Sequence, residues 1–129
     1  MKMRCAIVTD EDSQMLELFR KLLSPWFERV YTTGLDHKVV KVAEVDPPDL
    51  IITNITRYGF NGLDLVEYWR GNPSTSNAAI WVVSGSMDAN MVKVATSQAD
   101  MFFEKPFNSK DITEHLQRLA ESRLGEEDN

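Results

Sequence analysis

The chain has 129 residues, 43% of them hydrophobic and 26% charged, and a formal net charge of −6. That length supports one domain with a sizeable core, and the acidic balance excludes a nucleic-acid surface built on clustered Lys and Arg. No apolar stretch reaches the roughly 20 residues of a membrane-spanning helix, and the single cysteine, Cys5, rules out an internal disulfide.

Met1-Lys2-Met3-Arg4 leads into an apolar strand at residues 4–9 without a secretory hydrophobic segment, so a cytoplasmic location is expected. Cys5 lies in that strand and reads as a buried, inert thiol. Asp12 and Ser13 offer an N-cap, and Met15, Leu18, Phe19, Leu22 and Leu23 fall on one helical face. Pro25 stops that helix. Arg29 to Thr33 is rich in strand formers. Gly34 turns the chain, Asp36 can cap a helix carrying Val39, Val40, Val42 and Ala43, and Pro47-Pro48 breaks it. Leu50 to Thr53 is apolar throughout, which predicts a strand covered on both faces. Gly62 to Trp69 reads as a short helix with Leu63, Val66 and Trp69 inward, followed by a polar loop from Gly71 to Asn77. Ala79 to Val83 is the fourth strand, Asp88 to Ser97 a helix, and Met101 to Phe103 the fifth strand. Pro106 begins a turn, Ser109 caps a last helix, and Ile112, Leu116 and Leu119 form its buried stripe. The domain is expected to end near residue 122, with 123–129 a polar tail or linker stub. His37 and His115 read as surface residues on helices; the tryptophans and Tyr68 read as packing residues.

Five successive βα units define an α/β fold, a five-stranded parallel sheet doubly wound as a (βα)5 flavodoxin-like sandwich. The functional crevice of such an open sheet lies beyond the carboxyl ends of its strands. Asp10-Glu11-Asp12 follow the first strand there, Asn54 the third, Ser84-Gly85 the fourth and Glu104-Lys105-Pro106-Phe107 the fifth. Carboxylates suit a hard divalent cation, and a hydroxyl beside an ammonium suits phosphoryl oxygens. Neither a GxGxxG loop nor a phosphate-binding GxxxxGK loop occurs, which disfavours a nucleotide-binding domain.

From Cys5 to about Leu119 the chain resembles the receiver domain of two-component response regulators, the CheY-like family. The resemblance rests on Asp10-Glu11, Pro48-Asp49-Leu50-Ile51-Ile52-Thr53-Asn54-Ile55, Asn61-Gly62-Leu63-Asp64-Leu65, Ser84-Gly85 and Lys105-Pro106-Phe107, in order at the right strand ends. It implies a role in bacterial phosphorelay signalling and no catalytic residues. It places Asp10, Glu11 and the backbone carbonyl of Thr56 as Mg²⁺ ligands. Ser84 stands as the switch hydroxyl, and Gly85 gives the phosphoryl group room. Lys105 neutralises phosphate, with a cis bond before Pro106, and Phe102 takes the aromatic switch position.

Asn54 stands where the family carries the phospho-acceptor aspartate. An amide keeps the shape but removes the charge and the nucleophilic oxygen. Tyr58 stands where Pro is usual, Asn61 where Asp is frequent, Gln98-Ala99-Asp100 where Gly-Ala-Asp is usual, and Phe102 lacks a hydroxyl. These departures cluster on the phosphorylation face. They predict an atypical receiver, a pseudo-receiver, in which Mg²⁺ binds weakly or not at all. Lys105 then pairs with Asp10 or Glu11 and locks one conformation. Such a domain acts by protein–protein interaction with a sensor kinase, an effector domain or another receiver. The expected surface is formed by the fourth helix, the fifth strand and the last helix; neither nucleic acid nor membrane is an expected partner. Two other readings stand beside it: a phosphorylatable receiver carrying an engineered Asp-to-Asn exchange, and, from a different class, a small haloacid-dehalogenase-type phosphohydrolase using Asp10-Glu11-Asp12.

Overall fold

The computed structural model describes residues 1–34, 37–54, 60–85 and 99–127, with the backbone alone for 60–65 and 126–127. The elements run β1 (Met3–Thr9), α1 (Ser13–Leu23), β2 (Phe27–Thr33), α2 (Lys38–Val45), β3 (Leu50–Asn54), α3 (Phe60–Gly71), β4 (Ala79–Ser84), β5 (Met101–Glu104) and α4 (Ser109–Glu127). The strands form one five-stranded sheet in the order β2-β1-β3-β4-β5, and every pairing is parallel. The expected doubly wound α/β architecture is thus the observed one. The expected helix at 88–97 and the Asp36 cap lie outside the described residues.

Side-chain alternation explains the winding. Successive strand residues point to opposite faces, so β1, β3 and β4 each feed two cores. Ala6, Val8, Leu50, Ile52, Trp81 and Val83 meet Phe19 and Leu23 of α1 and Ile112 and Leu116 of α4. Cys5, Ile7, Ile51, Ile80 and Val82 meet Val39 and Ala43 of α2 and Val66 and Trp69 of α3. Apolar burial on both sides makes these strands uniformly hydrophobic, and that is why they are legible as strands.

Several local expectations are corrected. Asp12 alone caps α1, its carboxylate accepting from the Gln14 amide at 2.9 Å. Leu18 is exposed, and Leu16 instead packs on the core. The α4 cap is Asn108, whose side chain accepts from the Lys110 amide at 2.9 Å; Ser109 is already inside the helix. Tyr68 is not a packing residue: it is 56% exposed, on a different side of the helix from its buried neighbours Val66 and Trp69. His115 is half-buried rather than superficial, edge-on to Phe103 and Trp81 with centroids at 5.3 and 6.3 Å. The segment expected as a polar tail continues α4 to Glu127. Leu124 packs against the core, and Arg123 donates to the Asn77 carbonyl at 2.6 Å.

Candidate functional site at the carboxyl ends of the strands

β1 lies between β2 and β3, and the chain order reverses across it. Thr9 is level with Thr53 and Thr33, so the residues just beyond, Asp10 and Asn54, face each other across the crevice that forms at such a switch point. Ser84 and Glu104 are level at the ends of β4 and β5. Sequentially distant groups therefore converge because the strands end in register.

Asp10 is the centre of the site. It is buried, with a side chain only 3% exposed. One carboxylate oxygen accepts from the Asp12 amide at 2.9 Å and from the Asn54 side-chain amide at 3.4 Å. The other accepts from the Lys105 ammonium at 3.4 Å. The backbone is fixed as well, the Asp10 amide donating to the Thr33 carbonyl at 3.1 Å. A buried carboxylate needs such donors, because an ion left unpaired at that depth is strongly destabilising.

Ser84 is fully buried at the end of β4. Its carbonyl accepts from the Lys105 amide at 2.7 Å, which carries Lys105 toward Asp10. The Lys105–Pro106 peptide is cis, as the resemblance implies. A Cβ placed on Gly85 would sit 3.8 Å from the Lys105 Cβ, an ordinary contact, so the lysine stem borders the open side of the site. Phe102 and Phe103 diverge as the alternation of a strand requires: Phe103 enters the core with Trp81, and Phe102 stays half-buried on the other face. Glu11 is exposed beside the site. Thr56 and Tyr58 lie outside the described residues, and so does the side chain of Asn61.

A Mg²⁺ ion asks for near-octahedral oxygen ligands, usually one or two carboxylates with waters and phosphate oxygens. The described residues do not fit that demand in this arrangement. Both Asp10 oxygens face N–H donors, Asn54 presents its amide nitrogen, and no group of three or more His, Cys, Asp or Glu side chains comes together among the described residues. A cation would have to displace Lys105 from Asp10.

The acid that sequence reasoning passed over is Asp46, at the opposite end of the sheet. It accepts from Arg29 through two nitrogens, from the Tyr31 hydroxyl at 2.9 Å and from Arg4 at 3.2 Å. The Arg29 hydrogen bonds, helped by those of Tyr31 and Arg4, hold its carboxyl well below the usual carboxylate range against the opposing effect of burial. Burial, with Asp46 adding to it, pushes the Cys5 thiol up to about 12, which matches the inert thiol expected there. The only signal in the sequence was a set of basic and tyrosine residues on β1 and β2, which became a cluster only when the two strands paired.

A doubly wound parallel sheet with an acid, an amide, a hydroxyl and a cis-proline lysine at its strand ends defines a receiver-type signalling module rather than an enzyme. The family model of the response regulator receiver domain matches residues 6–117, and the chain belongs to that family. The phosphohydrolase alternative falls with that assignment. The chain is 25% identical over 107 residues to a Rhizobium etli protein described as "Probable chemotaxis protein CheY", covering 82% of this chain and 83% of the relative. Among solved structures it resembles a response regulator from Desulfuromonas acetoxidans, at 24% identity, 90% and 95% coverage of the two chains and a TM-score of 0.74. It also resembles the receiver domain of an HD domain-containing protein from Pseudomonas fluorescens, at 14% identity, coverage of 100% and 95% and a TM-score of 0.82. At these identities the structural likeness carries the fold. Among the described residues no helix is long and apolar enough to cross a membrane.

Proposed function

We propose that this receiver domain signals without aspartyl phosphorylation, from a conformation fixed by its own side chains, by binding a protein partner. The observation that carries this reading is the bridge of Lys105 and Asn54 onto the Asp10 carboxylate. A neutral amide nitrogen is a poor nucleophile, so Asn54 cannot form the acyl phosphate of an aspartate. The site therefore never gains the charge of about −1.5 to −2 that a phosphoryl group brings, and Lys105 keeps Asp10 as its partner. Supported on the same ground is a site in which Asp10, Glu11 and Thr56 hold Mg²⁺ weakly or not at all, and in which Ser84, Gly85, Phe102 and Pro106 keep their family places without a phosphoryl group to read.

The partner would be a sensor kinase, an effector domain or another receiver. Its surface would include β5 and α4, where Met101 and Phe102 are half-buried, beside the expected helix at 88–97. Half-exposed apolar side chains on an edge strand suit such an interface.

The test is incubation with acetyl phosphate and Mg²⁺, read by intact mass. The native chain is expected to stay unmodified, and a stable phosphoryl adduct on it would overturn the proposal. Asn54→Asp, treated alongside, reports whether the remaining machinery is intact: labelling of that variant alone places the loss in the acceptor.

A further inference from the structure

We propose that the groove between α2 and the edge strand β2 docks an acidic amphipathic helix of a partner protein. This surface goes beyond the reading above and does not depend on the chemistry at Asn54. It also lies at the β2 edge of the sheet, opposite the β5 edge.

The helix α2 has two stripes. Val39 and Ala43, four apart, are fully buried under the sheet. Lys38, Lys41, Val42 and Val45 stand at i, i+3, i+4 and i+7 and share one other face. With Tyr31 of β2 they line a groove of about 360 Å³. Val45, at the end of the helix, is 86% exposed and extends the apolar part of that face to solvent. The floor is held firm, because the Tyr31 hydroxyl is tied to the buried Asp46 at 2.9 Å.

Charge says what the groove accepts. Neither Lys38 nor Lys41 makes a hydrogen bond or ion pair among the described residues, and both are exposed. Two ammonium groups without a partner among the described residues flank an apolar trough; they are a local exception on a chain of net charge −6 and complement a segment with an apolar stripe and acidic flanks. A helix fits better than an added strand. Arg20, from α1 on the opposite face, already donates to the Val30 carbonyl at 3.3 Å and the Thr32 hydroxyl at 2.7 Å and so covers part of the β2 edge. An anionic membrane is the poorer occupant, since a membrane-surface helix needs a long apolar face rimmed by many basic residues, and α2 offers eight residues with two lysines.

The probe is a synthetic peptide of about 18 residues, long enough to hold a helix, with Leu on one stripe and Glu elsewhere. A counterpart with Lys in place of Glu is the control. Backbone amide shifts mapped by NMR are expected at Tyr31, Lys38, Lys41, Val42 and Val45 with the acidic peptide alone, with affinity falling as salt rises. The pair Lys38→Glu and Lys41→Glu, or Val45→Asp alone, should weaken binding about tenfold or more with unchanged thermal melting, because these side chains are exposed. The proposal is overturned by shifts that map elsewhere, by equal binding of the basic peptide, or by affinity that ignores these variants. It is equally overturned if sedimentation shows a dimer that Val45→Asp dissolves, or if the chain pellets with phosphatidylserine vesicles and leaves the peptide unbound.

Discussion

Breaking the bridge at the site from its two sides should have unequal effects. In Lys105→Met the Asp10 carboxylate stays behind, 3% exposed, with its cation gone. In Asp10→Asn the lysine is left, but its side chain is 23% exposed and can turn to water. At the observed 3.4 Å, and at an effective dielectric of 20, the attraction of the pair is about 5 kcal/mol, most of it offset by desolvation of the buried acid. The Asp12 and Asn54 donors remain on Asp10 and soften the loss. Lys105→Met should therefore cost about 2 kcal/mol and Asp10→Asn about 1 kcal/mol, since an amide oxygen can still accept from the Asp12 amide. The double variant should cost little more than Asp10→Asn alone, a coupling of roughly 2 kcal/mol. Urea unfolding followed by circular dichroism reads this directly: with a slope of about 1–2 kcal/mol per molar for a domain of this size, Lys105→Met moves the midpoint by about 1 M or more. If Lys105→Met proves no more costly than Asp10→Asn, or the two effects simply add, the ammonium is not what compensates the buried carboxylate. The fixed conformation then loses its basis.

Three further outcomes are expected. Asp46 has its folded carboxyl held below its ordinary 3.8, so its stabilisation is present above that pH and is lost as the pH falls further; Asp46→Asn should lower the melting temperature at pH 7 and flatten its decline between about pH 4 and pH 2. Trp69 is fully buried and its indole nitrogen has no partner among the described residues; Trp69→Phe removes that donor while opening a small void, so urea titration should find it within about 1 kcal/mol of native, whereas Trp69→Ala should cost about 3–5 kcal/mol. Arg123→Ala with Leu124→Ala removes the hydrogen bond to the Asn77 carbonyl and a contact with the core; a loss of about 2 kcal/mol by the same titration would make this stretch part of the domain, and no loss would return it to a linker.

The central strands were readable because burial on both faces leaves few polar positions: Ile51 and Ile52, or Val82 and Val83, enter different cores yet are equally apolar. The helix interiors were readable from their periodic apolar stripes, but their ends only in part. Asp12 and Asn108 became caps, and Ser13 and Ser109 did not, because a cap depends on backbone direction at one residue. Tyr68 and His115 were misread in opposite directions, since an amphipathic side chain suits either environment and its neighbours decide.

The sequence by itself determined the doubly wound class, the strand ends where chemistry would gather, and the absence of a carboxylate at Asn54. Each of these is a matter of residue type and order along the chain. Only the tertiary structure decided which acid Lys105 meets, since Asp10 and Glu11 are adjacent in the chain and differ only in direction: Asp10 turns inward beneath Asn54 and Glu11 turns to solvent. It also decided that Asp46, unremarkable beside two prolines, would gather Arg4, Arg29 and Tyr31, and that Lys38, Lys41 and Val45 of α2 would stand exposed together beside β2. The physical reason is common to all three: pairing strands from distant parts of the chain fixes which side chains share a space, and burial then turns that proximity into energy.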